Sequence, residues 1–237
     1  MIRYDVVSPS HPAYPGGLSG LLGSRTLFAF GCLELMSRPA IGICGSRDAS
    51  AGALRWAQEF GREAARHGIV VVSGYARGVD RQAHRGVLEA GGATIAVLPE
   101  GINYFRLTKE LGSLINPESN FLAISMFEPD EVWKTWRAME RNKLIVGLSA
   151  GLFVIEARET GGTINAAYET MRQGKPLYAV AYTKELPGRE GNRKLLAGSA
   201  IPLRHMADLK RALDEAMSRP PAEVRQLVMS LVGPANE

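Results

Sequence analysis

Ser46, Arg47, Ser73 and Arg77 are the residues whose types and spacing best suit binding to an anion. Ile41-Gly42-Ile43-Cys44 runs into Gly45-Ser46-Arg47, and Ile69-Val70-Val71-Val72 runs into Ser73-Gly74-Tyr75-Ala76-Arg77-Gly78-Val79-Asp80. Loops of this kind aim backbone N–H groups, a hydroxyl and a guanidinium at one point, and a helix that follows adds partial positive charge. The edge they form is expected to hold phosphate. A third Gly-rich turn, Thr160-Gly161-Gly162-Thr163, follows the apolar run 151–156. That run ends at Glu156, where a carboxylate suits a ribose hydroxyl.

Each of these residues also has a plainer use. Gly45, Gly74 and Gly78 suit a tight strand-to-helix turn, and Ser46 and Thr163 suit helix caps. One Arg at a strand end suits a surface ion pair, whereas two at matching strand ends favour an anion. His84 has no neighbouring Ser, Cys or carboxylate constellation and is expected on a helix face. Trp133 and Trp136, at i, i+3 spacing, are expected to be buried. Lys184, Arg189, Arg193 and Lys194 lie in a Gly-rich stretch that is ordinarily solvated. Walker, His-Glu-x-x-His and Gly-x-Ser-x-Gly patterns are absent from the sequence. The expectation is a binding protein without catalytic residues, metal or cofactor.

The elements that must position the loops follow from periodicity. Apolar runs at 40–45, 69–73, 93–98, 121–125, 151–156 and 176–181 alternate with helical segments. They are too continuously apolar to be half exposed, which argues a parallel sheet covered on both faces. Ala53, Trp56, Ala57, Phe60 and Ala64 form an amphipathic stripe that Gly68 ends. A second helix is expected from about Val79 to Ala90 with Asp80 as its cap, and a third from Thr163 to Gly174. The fold class is α/β: Rossmann-like, doubly wound and mostly parallel, with ligands beyond the carboxyl ends of the strands. Residues 1–38, rich in Pro and Gly yet carrying Leu18, Leu21, Leu22, Leu27, Phe28 and Phe30, read as a leader packed on a 39–215 domain. Residues 216–237 read as a short C-terminal extension with a helix from Ala222 to Val232.

The 237 residues suffice for one substantial core. Net charge is +4, but 24 acidic residues dilute it, so charge alone establishes no polyanion partner. Cys32 and Cys44 lack metal-ligand spacing and are expected to be unpaired thiols. No run reaches the roughly eighteen apolar residues of a membrane span, and the expected location is the cytoplasm.

The chain resembles the DNA-processing protein A family (DprA, also called Smf). The resemblance rests on Ser37-Arg38-Pro39-Ala40 with Gly45-Ser46-Arg47, and on Ser73 to Asp80 with Ala83-His84-Arg85-Gly86 and Leu88 to Gly92. Arg141-Asn142-Lys143-Leu144-Ile145-Val146-Gly147-Leu148-Ser149 completes it, and fainter likeness extends over about 14–215. It implies an ATP-independent protein that binds single-stranded DNA, dimerises, and helps load the RecA recombinase during natural transformation. By motif match, Ser46, Arg47, Arg77, Arg141 and Lys143 are the phosphate contacts.

The sequence differs from that family at Pro99 to Arg106, at Thr160 to Thr163, and ahead of Arg141, where Glu140 brings an acid beside the expected phosphate site. The winged-helix and N-terminal helical domains of many relatives are not expected here. A rival reading is a small-nucleotide sensor or hydrolase of the same superfamily. Glu159-Thr160-Gly161-Gly162-Thr163 is similar to the helix-opening motif of Lonely-guy phosphoribohydrolases, but Asn165 and Ala166 stand where hydrolysis needs an acid.

Overall fold

In the computed structural model, which describes residues 3–184 and 186–218, the chain winds around one mixed sheet. Its strands are β1 (Asp5–Val7), β2 (Leu27–Gly31), β3 (Ala40–Cys44), β4 (Val70–Ser73), β5 (Thr94–Val97), β6 (Phe121–Ser125), β7 (Leu152–Val154), β8 (Leu177–Val180) and β9 (Ile201–Leu203). The helices are α1 (Ser19–Leu22), α2 (Ala51–Arg66), α3 (Val79–Glu89), α4 (Lys109–Gly112), α5 (Thr135–Gly147), α6 (Gly162–Arg172), α7 (Glu190–Ala197) and α8 (Asp208–Ser218). The spatial order is β1-β2-β6-β5-β4-β3-β7-β8-β9. From β6 to β9 in that order all pairs are parallel, in agreement with the doubly wound α/β expectation.

Period-two alternation splits each central strand between two cores. Val70, Val72, Ile95, Val97, Leu152 and Val154 face one layer, which α5 and α6 close with Leu144, Ile145, Ile164 and Ala167. Ile41, Ile43, Val71, Ala96 and Phe153 face the other, which α2, α3 and α8 close with Phe60, Val87 and Leu213. The stripe on α2 is buried at Ala53, Ala57, Phe60 and Ala64, as its spacing predicts.

Three strands were not foreseen. β2 pairs antiparallel with β6, and β1 with β2, so residues ahead of 39 extend the sheet as well as packing on it through Leu18 and Leu22. β1 and β9 are three residues each, too short for a periodic signal, and β9 contains Pro202, a residue type that argues against a strand. Three expected caps are also corrected. Gly78, at φ 88°, caps α3, while Asp80 lies in its first turn and accepts the Ala76 N–H at 3.3 Å. Ser50, not Ser46, caps α2 through the Ala53 N–H. Gly161 occupies the cap position of α6, leaving Thr163 inside the helix. The expected helix 222–232 lies outside the described residues.

Candidate functional site

β3 is the point where the strand order reverses: the chain moves outward on one side through β4 and returns on the other through β7. Loops on either side of such a point diverge and leave a crevice above the carboxyl ends of the strands. A cavity of about 360 Å³ occupies that crevice.

Its walls come from the loops after β3, β4 and β7 and from α5. The loops brace one another. The Ser46 N–H donates to Glu156 O at 2.7 Å, and the Val79 N–H donates to Ser46 O at 3.2 Å. A Cβ at Gly78 would lie 2.3 Å from Ser46 O, so this contact demands glycine. Ser46 Oγ accepts the Asp48 N–H at 3.2 Å, which folds the loop back on itself.

Of the predicted residues, Gly45, Ser46, Arg47, Arg141, Gly161, Gly162 and Thr163 line the cavity. The remainder are placed differently. Ser73 is fully buried and donates to Ile43 O at 2.6 Å. Gly74 gives way to the Arg141 guanidinium, whose Nη1 would be 2.1 Å from a Cβ there. Lys143 stands off the cavity wall and pairs with Glu140 at 2.8 Å. Glu156 turns inward, accepting from Ser50 N at 2.8 Å, Ser50 Oγ at 2.6 Å and Arg189 Nε at 3.2 Å. Glu169, one turn beyond Asn165, is held by Arg172 and Gln173.

Arg141 forms the floor. It is almost fully buried and donates to Val97 O at 2.6 Å. Burial pulls its pKa down, while the nearby carboxyls of Asp80 and Glu100 push it up. Burial raises Asp80 in turn, and Arg141 counters that rise. Burial also raises Glu100, again against Arg141. The floor is thus a compact, partly compensated charge cluster, with the Cys44 thiol pushed up beside it, chiefly by burial.

The rim carries the accessible cations. Arg47 lies over the Trp133 ring at 5.9 Å from its centroid. Arg77 and Arg158, both well exposed, pair with the two carboxylate oxygens of Asp48. Arg158 escaped the sequence reading, although the rule that found Arg47 and Arg77 applies to it, since it follows the end of a strand-like run. Asp48 gave no signal in the sequence. Trp133 and Trp136, expected to be buried, are 47% and 55% exposed. Their i, i+3 spacing is helical, but Trp133 precedes α5 and neither ring enters the core.

His84 is fully buried on α3, as a helix-face residue. Its Nδ1 lies 2.6 Å from Thr94 Oγ1, and that hydroxyl donates to Val71 O, so the ring nitrogen is assigned as the donor. A larger cleft, about 630 Å³, lies between the end of β8 and α7 and holds Arg189, Arg193 and Lys184 but none of the strand-edge loops. Among the described residues no group of His, Cys, Asp and Glu could hold a metal ion, and no helix is long and apolar enough to cross a membrane.

A family model described as DNA recombination-mediator protein A matches residues 5–214. DNA processing protein DprA of Bacillus subtilis is 30% identical over 213 residues, which cover 89% of this chain and 72% of that protein. Protein Smf of Escherichia coli is 32% identical over 191 residues, or 79% of this chain and 48% of that protein, so the chain spans about half of its length. A Helicobacter pylori DNA processing protein A, solved to show its single-stranded DNA binding mode, has the same fold. Its TM-score is 0.78 at 23% identity, over 91% of this chain and 98% of that one.

Proposed function

The chain belongs to the DNA recombination-mediator protein A family, and on that premise we propose that it binds single-stranded DNA at the β3 switch point and acts in DNA uptake or recombination. One observation carries the reading: Arg47, Arg77 and Arg158, from three separate strand-end loops, gather at the rim of one cavity. Single-strand binders follow the phosphate backbone with positive charge. Arg suits that task because its fork of donors matches phosphate oxygens.

In this reading Ser46 and the N–H groups of Gly161, Gly162 and Thr163 take a phosphate at the start of α6. Arg47, Arg77 and Arg158 follow its neighbours. Arg141 supplies charge from the floor without leaving Val97, and Lys143 acts at a distance because Glu140 holds it. Glu156 anchors the loops rather than a ribose. The protein works by binding rather than catalysis, in the cytoplasm, as a homodimer that hands single strands to a RecA-type recombinase. The family description as a recombination mediator supports that role.

The test compares a fluorescent single-stranded oligonucleotide with its duplex at two salt concentrations, for the native protein and an Arg47→Ala/Arg77→Ala variant. Tight, salt-sensitive, single-strand-preferring binding that the variant loses is expected. Absence of binding at low salt overturns the reading and leaves the cavity to a small nucleotide, which a panel of nucleotides would reveal by raising the melting temperature.

A further inference from the structure

Val132, Trp133 and Trp136 are 50%, 47% and 55% exposed, a concentration of apolar surface on one ledge beside the cavity. Trp133 itself lines the cavity wall. Large aromatic rings left in water need a reason, because burial is favourable and exposed apolar patches mark contact sites.

The ledge is rigidly built. The Gly101 N–H donates to Glu131 O at 2.8 Å, the Asn103 N–H to Pro129 O at 3.1 Å, and Asn103 Nδ2 to Asp130 Oδ1 at 2.8 Å. From below, the buried Arg137 donates to Val132 O and to the Glu131 carboxylate, and its guanidinium lies 5.1 Å from the Trp136 ring centroid and 5.5 Å from that of Phe127. Arg47 then stands over Trp133 from the opposite loop. The backbone that leads into Trp133 is therefore fixed before any ligand arrives, and the indole stands at a spot flanked by the cations of the rim.

From this arrangement we propose that Trp133 is a stacking platform for a nucleobase of the bound strand, with the base at the mouth of the cavity and its flanking phosphates on Arg47 and Arg158. The proposal rests on the single-stranded DNA reading and adds a base-contacting residue to it. The charge around the ledge selects the occupant: a ring carried on a polyanion engages the indole and the arginines together, whereas a purely apolar partner engages the indole alone. Stacking of this kind accepts any base, since each has a π-face.

The experiment titrates the full chain with an oligo-dT and with an abasic phosphodiester of the same length, at two salt concentrations. The variants are Trp133→Ala, Trp133→Phe and Arg47→Ala. The native protein is expected to prefer oligo-dT. Trp133→Ala should lose about tenfold for oligo-dT and almost nothing for the abasic strand. Trp133→Phe should stay within about threefold, and the salt dependence of Trp133→Ala should match that of the native protein. Unchanged affinity of Trp133→Ala, or equal losses on both strands, overturns the platform. So does a variant that changes self-association while keeping its DNA affinity, which would give the ledge to a second copy of this chain. If the native protein binds both strands equally and Arg47→Ala still weakens them, the platform alone falls. If it binds neither strand, the DNA reading falls with it.

Discussion

Asp48 and Arg158, 110 positions apart in the chain, meet at 3.4 Å across the mouth of the cavity. The second carboxylate oxygen of Asp48 pairs with Arg77, so one acid from the β3 loop holds cations from the β4 and β7 loops. The protein's own carboxylate thus sits where a phosphate would have to compete for both arginines.

Asp48→Asn is therefore expected to strengthen single-stranded DNA binding, by about threefold at low salt, as the two guanidiniums become available. Arg158→Ala should weaken it and reduce the slope of log affinity against log salt by about 0.7. Anisotropy titrations across a salt series decide the matter. A weaker Asp48→Asn complex would mean that the carboxylate positions the arginines instead of competing with the strand.

Gly78→Ala should cost at least about 2 kcal/mol, because φ is +88° and the added Cβ would press on the carbonyls of Ser46 and Arg47 at 2.3 and 2.6 Å. DNA affinity should fall as well, since the same contact sets the β3 loop. Urea unfolding beside a binding titration measures both effects.

Glu156→Gln should lower stability by about 2–4 kcal/mol, because Arg189 would lose its buried counter-charge. Ser50, the cap of α2, would be loosened too. Thermal melting should show the loss, while a single-stranded oligonucleotide shifts the melting temperature of native and variant proteins alike. A ligand-induced shift present only in the native protein would point to a ribose contact.

His84 gives a pH signature. Burial, reinforced by Arg141 and Arg81, lowers its pKa to about 3, against an ordinary value of 6.5. Between those values the unfolded chain binds a proton that the folded chain refuses, so stability falls as pH falls through 6.5 toward 3. From pH 7.5 to pH 5 this one group should remove about 2 kcal/mol. His84→Asn keeps a donor for Thr94 but does not titrate, so its urea-derived stability should fall less over the same interval. Equal slopes for the two proteins would contradict the assignment.

The sequence by itself determined the parallel sheet, its covering helices and the strand edge that carries the candidate site. Those features depend on local periodicity and on Gly, Ser and Arg at strand ends. Ile43, Val71 and Phe153 alternate with neighbours on the opposite face, and Arg47 and Arg77 announce themselves by following such runs. Tertiary structure alone decided which of those residues face the cavity. Ser73 and Lys143 satisfy the motif yet spend their polar groups on Ile43 and Glu140. Asp48 carries no motif yet commands the rim, because its partners are 29 and 110 positions away. Trp133 and Trp136 are exposed for the same reason: helical spacing says which residues would share a face, but Trp133 lies ahead of α5 in a segment that Arg137 holds through Val132 O, and both rings stay in water. Contacts between distant segments follow from how the loops diverge at β3, and no window of sequence contains them.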